Sequence, residues 1–290
     1  MNKKIFIIGG DLRQVNVANM LSDYQYKVSV FGFGKNMDFA KGVKVEKTLE
    51  NGLSDADIIV LPLPCCVDNE TVNMPMSDDV VLISELFKAV NKNQIIVAGM
   101  VSEKIAELAK IYNIYIADYF KREELEISNA IPTVEGAIQI AMEETPFTIH
   151  NSRCLVVGYG RIGRLLCAAL KSLGADVTVS ARKCSDFAWI NAFSYHCVHT
   201  SQLEKAISDM DIVFNTVPHP VLDKTVLEKV SPDCLIIDLA SKPGGVDFEA
   251  ASMLGRKVIW ALSLPGKVAP VTAGKMITET IINLLEELGV

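Results

Sequence analysis

The residues with the clearest chemical meaning are Gly158-Tyr159-Gly160-Arg161-Ile162-Gly163. A G-x-G-x-x-G run alone is weak; its force comes from what surrounds it. Here it follows an apolar run, Cys154–Val157, and opens a stretch with helical spacing that ends at Leu173. Strand, glycine turn and helix start, in that order, describe a dinucleotide-binding loop. The first glycine permits the tight turn, the second lets backbone approach a pyrophosphate, and the third brings helix against strand. The free N–H groups of the helix start then face the anion. The competing account is a glycine-rich turn with no ligand.

The end of the following strand selects the dinucleotide. An NAD site carries Asp or Glu roughly 20 residues on, to hold the ribose 2′-hydroxyl. This strand instead runs into Ser180-Ala181-Arg182-Lys183, with a hydroxyl and two cations where the acid would be. Such groups neutralise a 2′-phosphate, so the expected cofactor is NADP. A solvated loop is the alternative for Arg182 and Lys183. Adenine and ribose contacts are expected to continue where later strands end, at Asn215-Thr216-Val217-Pro218 and at Leu239-Ala240-Ser241.

A second glycine turn, Gly9-Gly10-Asp11-Leu12-Arg13, lacks the third glycine, so a second dinucleotide is not expected. Its helix N-terminus, with Gly10, Asp11 and Arg13, suits a small carboxylate instead. The alternative is an Asp11 cap with Arg13 in a surface pair. Pro64, in Leu61-Pro62-Leu63-Pro64, shapes a rigid lip at another strand end. Asn129 and Thr133 stand at the expected start of a long helix, as substrate contacts or as caps. Lys267, in a Pro- and Gly-rich loop spanning 263–275, supplies positive charge for a dianionic substrate. For proton transfer Glu135 is the first candidate, near that long helix's first turn, and His219 the second. A single His in a Pro-rich loop is also consistent with simple exposure.

These residues need elements to hold them. Apolar runs at 4–8, 27–31, 57–61, 94–98 and 114–117 read as buried strands, with helical spacing at 13–22, 84–90 and 102–112 between them. A charged segment, 121–126, precedes the long helix expected at 130–144, with Pro132 in its first turn. A second alternating set follows, with strands at 153–157, 176–179, 211–215, 234–238 and 257–260, and a closing amphipathic helix at 273–288. Strand–helix alternation with short connections implies parallel sheets covered on both faces. The expected architecture is α/β: two tandem Rossmann-like domains with a cleft between them. Residues 1–145 form a substrate domain, 146–270 an NADP domain, and the helix at 271–290 returns to the first. At roughly 100–200 residues per domain, a chain of 290 residues fits two.

Composition narrows the partners. The net charge of −7 argues against nucleic acid, whose phosphates need a basic face. No uncharged apolar run approaches the roughly 18–20 residues of a membrane span. The start, Met1 to Gly10, has only four apolar residues before its glycines, too few for a secretory leader. Seven cysteines without C-x-x-C spacing suit a reducing compartment, so a cytoplasmic location is expected. The crowded His196-Cys197-Val198-His199 is read as structural, and no metal is expected.

Four segments together carry a family resemblance: Ile8–Gln14, Asn129–Gly136, the Gly158–Gly163 fingerprint and Leu264–Pro270. They resemble the dipicolinate synthase A-subunit family across essentially the whole chain. The resemblance implies NADP-dependent oxidation of a dihydrodipicolinate-type intermediate to pyridine-2,6-dicarboxylate, in the mother-cell cytoplasm of a sporulating bacterium. The partner it implies is the flavoprotein-like B subunit of the synthase, and a homo-oligomer is expected. In that reading one substrate carboxylate meets the Gly10–Arg13 turn and the other meets Lys267 or Thr133. More distantly, the layout resembles D-2-hydroxyacid and methylenetetrahydrofolate dehydrogenases, without the Arg, Glu and His set of the former. The alternative function is a non-catalytic NADP-binding component that stabilises or regulates a heteromeric enzyme.

Overall fold

The computed structural model describes residues 3–290; Met1 and Asn2, where the leader-like start begins, lie outside them. In the first half β1 (Lys4–Ile8), α1 (Leu12–Asp23), β2 (Lys27–Phe31), β3 (Val43–Val45), α2 (Leu49–Asp55) and β4 (Ile58–Val60) follow in order. Then come α3 (Ile83–Ala89), β5 (Ile95–Ala98), α4 (Glu103–Ile111), β6 (Ile116–Asp118) and the long α5 (Glu123–Glu144). All pairings are parallel, in the order β3-β2-β1-β4-β5-β6.

The second half repeats the plan with β7 (Arg153–Val157), α6 (Arg161–Ser172), β8 (Asp176–Ala181), α7 (Cys184–Ala192) and β9 (His196–His199). It continues with α8 (Leu203–Ala206), β10 (Ile212–Asn215), α9 (Lys224–Leu227), β11 (Leu235–Asp238), α10 (Phe248–Met253) and β12 (Lys257–Trp260). The short α11 (Leu264–Val268) and the terminal α12 (Pro270–Glu287) close the chain. Its sheet, also wholly parallel, runs β9-β8-β7-β10-β11-β12, the same doubly wound order.

The central strands are apolar without alternation because both faces of each sheet are covered. Along β1, Ile5 and Ile7 enter one core while Phe6 and Ile8 enter the other. Along β7, Cys154 and Val156 face one side and Leu155 and Val157 the opposite side. Burial pushes the Cys154 thiol up to about 11 and those of Cys65, Cys167 and Cys234 to about 12, so these cysteines stay protonated and pack as apolar groups. The helix α12 lies against α1, with Ile277, Ile281 and Leu285 joining Val17, Ala18 and Leu21. A side chain on Gly274 would meet the Asn16 Cβ and the Arg13 carbonyl, so glycine permits this close approach.

The chain forms two compact units, residues 1–129 with 269–290, and residues 130–268. The expected division at 145/146 falls after α5, whereas the units part within it. That helix begins at Glu123, earlier than expected, and Pro132 lies inside it rather than in its first turn. Glu123, Glu124 and Glu126 fill the first turn, where carboxylates suit the positive end of the helix dipole. Asn129 and Thr133 are therefore interior helix residues and not N-terminal caps. The segment expected as an ordered loop at 263–275 is instead the helix α11 followed directly by α12, with Pro270 as its first residue. The His196–His199 segment is the edge strand β9, its His196 imidazole 3.2 Å from the Asp176 carboxylate. Among the described residues no helix is long and apolar enough to cross a membrane.

Candidate functional site

The fingerprint takes the geometry a dinucleotide needs. Gly158 has φ +99°, a left-handed conformation that favours glycine, and its N–H donates to the Ser180 carbonyl at 2.9 Å. A Cβ on Gly163 would collide with the Gly158 carbonyl oxygen, so glycine there lets α6 close on β7. Gly160 differs from both. Nothing lies within 4 Å of where its Cβ would be, and it is exposed. It is also the N-cap of α6 and makes no side-chain capping bond, so the Arg161-Ile162-Gly163 turn starts the helix with backbone alone. An open cradle over an uncapped helix end fits a pyrophosphate.

At the end of β8 the four expected residues separate into two pairs. Arg182 and Lys183 are exposed, and Lys183 caps α7 without a side-chain bond. Ser180 and Ala181 are buried. The Ser180 hydroxyl pairs at 2.9 Å with that of Thr200, which removes it from the expected role of phosphate ligand. The pleat decides this: Ser180 lies between Val157 and Val198 in the sheet, and its side chain points into protein. The nearest downstream acid, Asp186, faces the Arg164 guanidinium at 3.5 Å.

The ends of β10 and β11 are fixed by polar groups, Thr216 and Asn215 from the expected stretch and Asp238, which pattern reading missed. The Thr216 hydroxyl donates to the Val157 carbonyl at 2.9 Å and lies against Gly158. Val217 donates its N–H to Asn215 Oδ1 at 3.1 Å, and Pro218 follows, exposed. Asn215 and Asp238, both fully buried, are joined at 2.7 Å. Leu239 and Ala240 are buried, and Ala240 bonds the Asp238 carboxylate through its N–H and the Trp260 indole through its carbonyl. The available signal for Asp238 was a single polar residue closing an otherwise apolar strand.

In the first unit the equivalent turn is filled by the chain itself. Asp11 stands where Gly160 stands in the second unit, as the N-cap, and accepts the Arg13 N–H at 3.0 Å. Gln14 stands where the third glycine would be, fully buried, with its Oε1 unpartnered. Gly10 donates to the Asn73 carbonyl at 2.9 Å, and the Met74 side chain occupies the space over Gly9 and Gly32. Arg13 is almost fully buried. Its guanidinium binds the Asp11 carboxylate and the Leu63 carbonyl. The expected free anion cradle of Gly10, Asp11 and Arg13 is thus a capped and neutralised turn, because Asp11 supplies the anion. Pro64 takes part through its carbonyl, which accepts from the Asn73 amide at 3.1 Å.

The structure does bring three expected residues onto touching helices. Gly136 of α5 packs against Leu264 and Val268 of α11. Those two helices carry Thr133 and Glu135 on one and Lys267 on the other. Thr133 is buried, while Glu135 and Lys267 are exposed. His219 is exposed after β10 and lies on neither helix.

Comparison with known proteins agrees with this division of labour. Residues 4–120 match the family described as the N-terminal domain of the dipicolinate synthase A subunit. Residues 132–250 match the D-isomer specific 2-hydroxyacid dehydrogenase, NAD binding domain. The dipicolinate synthase A subunit of Bacillus subtilis is 35% identical over 98% of this chain and 96% of its own. The solved structure of its counterpart from Bacillus halodurans has a TM-score of 0.90 at 32% identity, covering 98% of this chain and 97% of its own. A transhydrogenase from Sinorhizobium meliloti, 16% identical with a TM-score of 0.73 over 98% of this chain and 94% of its own, shares the fold. The second unit therefore takes a nicotinamide cofactor, and the chain is a dehydrogenase-type oxidoreductase. Whole-length identity, a matching first domain and a cofactor loop with the required geometry lead to one conclusion: this chain belongs to the dipicolinate synthase A-subunit family.

Proposed function

We propose that the chain is an NADP-dependent dehydrogenase that oxidises a dihydrodipicolinate-type intermediate to pyridine-2,6-dicarboxylate during sporulation. The observation that carries the cofactor choice is the end of β8. Exposed Arg182 and Lys183 flank the uncapped start of α7, and no carboxylate sits where a 2′-hydroxyl would need one. A 2′-phosphate is held there by charge-assisted hydrogen bonds. When bound, the nicotinamide ring supplies the hydride acceptor.

The chain's own residues bind, orient and take a proton. Gly158, Gly160, Arg161, Ile162 and Gly163 receive the pyrophosphate, and Thr216, Val217, Pro218, Leu239 and Ala240 line the following strand ends. Lys267 is assigned to a substrate carboxylate because it is exposed and forms no ion pair among the described residues, whereas Arg13 is committed to Asp11. Thr133 supports the same carboxylate from α5. Formation of an aromatic ring drives the reaction, so the protein's task is mainly positioning, with one base for the proton. Glu135 is the first candidate for that base, being next to the Gly136 that packs against α11, and His219 is the second. The B subunit of the synthase is the proposed partner, in the mother-cell cytoplasm.

One observation favours a second reading, a cofactor-binding component without its own chemistry. Among the described residues neither Glu135 nor His219 has a hydrogen bond that would orient it as a base. The two readings separate on absorbance at 340 nm with substrate and NADP+. Turnover by the chain alone supports catalysis here; turnover only by the partner, unaffected by Glu135→Gln and His219→Gln in this chain, supports the second.

A further inference from the structure

Among the described residues, the only acidic or basic residue buried in the second unit is Asp238, fully enclosed at the end of β11. Both of its oxygens are engaged. Oδ1 accepts from the Asn215 amide at 2.7 Å and from the Ala240 N–H at 3.0 Å, and Oδ2 accepts from the Gly245 N–H at 2.9 Å. Asn215 in turn closes the next turn on both sides, accepting from the Val217 N–H and donating to the Val217 carbonyl at 3.0 Å. Apart from the Asn215–Asp238 bond, which ties the two strand ends together, each of these bonds ends on a segment leaving the carboxyl end of β10 or β11. The series is continuous with the fingerprint, because Thr216 touches Gly158 and bonds Val157. At its far end the Trp260 indole holds the Ala240 carbonyl at 2.9 Å.

The molecule contains its own control. Asn215 lies opposite Val157 and Asp238 lies opposite Asn215. In the first sheet, continuing the register by one residue places Leu61 beside Ile8 and Ala98 beside Leu61. Both are fully buried and apolar. A doubly wound sheet of this order is therefore complete with leucine and alanine there, and the polar pair occurs only in the sheet whose turn is open to a dinucleotide.

Ligand geometry says which part of the cofactor the pair serves. The pyrophosphate sits at the α6 start and the adenosine ribose at the end of β8, on one side of β7. The other half of the dinucleotide must extend over β10 and β11. We propose that Asn215 and Asp238 are positioning residues for the nicotinamide half, holding the segments 216–218 and 239–245 in the one arrangement that receives it. This rests on the NADP reading above.

The test uses the full chain carrying Trp189→Phe, which leaves Trp260 as its only tryptophan. Two probes are compared: NADPH, by energy transfer from Trp260, and adenosine 2′,5′-bisphosphate, by calorimetry. Asp238→Asn and Asn215→Ala should each weaken NADPH about 10- to 100-fold, the loss expected when buried hydrogen bonds to a charge are broken. Affinity for the adenosine bisphosphate should stay within about 2-fold of the parent, and this also shows that the unit has folded. Unchanged NADPH binding in both variants, or equal losses for both probes, would overturn the proposal. A parent that binds neither probe instead overturns the cofactor reading, and the proposal with it. A parent that prefers NADH corrects only the 2′-phosphate assignment; NADH and 5′-AMP then give the same two-probe comparison.

Discussion

At the scale of single residues, the site divides into groups that face solvent and groups that the sheet encloses. Arg182 belongs to the first and Ser180 to the second, though they are two positions apart. Arg182→Ala should weaken NADP by about 10- to 100-fold, the loss of charge-assisted hydrogen bonds, and hardly change NAD. Ser180→Ala should leave the preference between the two cofactors unchanged and cost about 1 kcal/mol of stability, from its bond to Thr200. Titrating each variant with both cofactors, alongside thermal unfolding, checks the pair of statements. The glycines make a second contrast. Gly160→Ala enters open space at φ −81°, so its melting temperature should match the parent's while dinucleotide affinity falls. Gly163→Ala drives α6 from β7 and should destabilise the fold by about 1–3 kcal/mol as well. If both alanines lower stability equally, Gly160 is a packing residue and not a cradle.

At the scale of elements, α1 and α6 start in the same place on their sheets and are finished differently. The first is capped by its own carboxylate, the second left open. Asp11→Ala should cost more than the ~1 kcal/mol of a lost cap, because the nearly buried Arg13 guanidinium also loses its partner, read as a lower melting temperature. Unchanged stability with a raised KM would instead make Asp11 a substrate contact. The long α5 shows where local pattern misleads. Pro132 is a good first-turn residue, and the charged segment before it resembles a loop, so local pattern predicts a helix starting at 130. Packing of Leu125 and Ala130 into protein sustains the extra turns despite the N–H that Pro132 lacks. The same limit applies to α11, whose five residues contain Pro265 and Gly266 and which packs through Leu264 and Val268 on Gly136.

For the molecule as a whole, the returning α12 is tied to the first unit by an ion pair as well as by its apolar face. Arg122 binds both Glu287 carboxylate oxygens at 2.6 Å and Glu124 at 2.8 Å. The Arg122 hydrogen bonds hold the Glu287 carboxyl below its usual range. Over that window the unfolded chain binds more protons than the folded one, so stability increases with pH and is lost as pH falls through the folded value. Glu287→Gln should lower the neutral plateau of melting temperature slightly, since the pair is exposed, and leave the acid end unchanged, which flattens the acid limb. An acid limb identical to the parent's would show that the clasp contributes nothing.

The sequence by itself determined the class of the molecule. Strand–helix alternation, the apolar runs at both sets of strands and the Gly158–Gly163 spacing are local properties, set by backbone geometry and by burial on two faces, and they survive into the structure. The closing helix was legible for the same reason, its amphipathic stripe needing a face to cover. What only the tertiary structure decided was where each polar side chain points and what it already holds. Ser180 turns inward because the pleat puts it there, Arg13 is spent on Asp11, and Asn215 finds Asp238 across 23 residues of chain. Such pairings depend on register between strands distant in sequence, which no window of neighbouring residues contains.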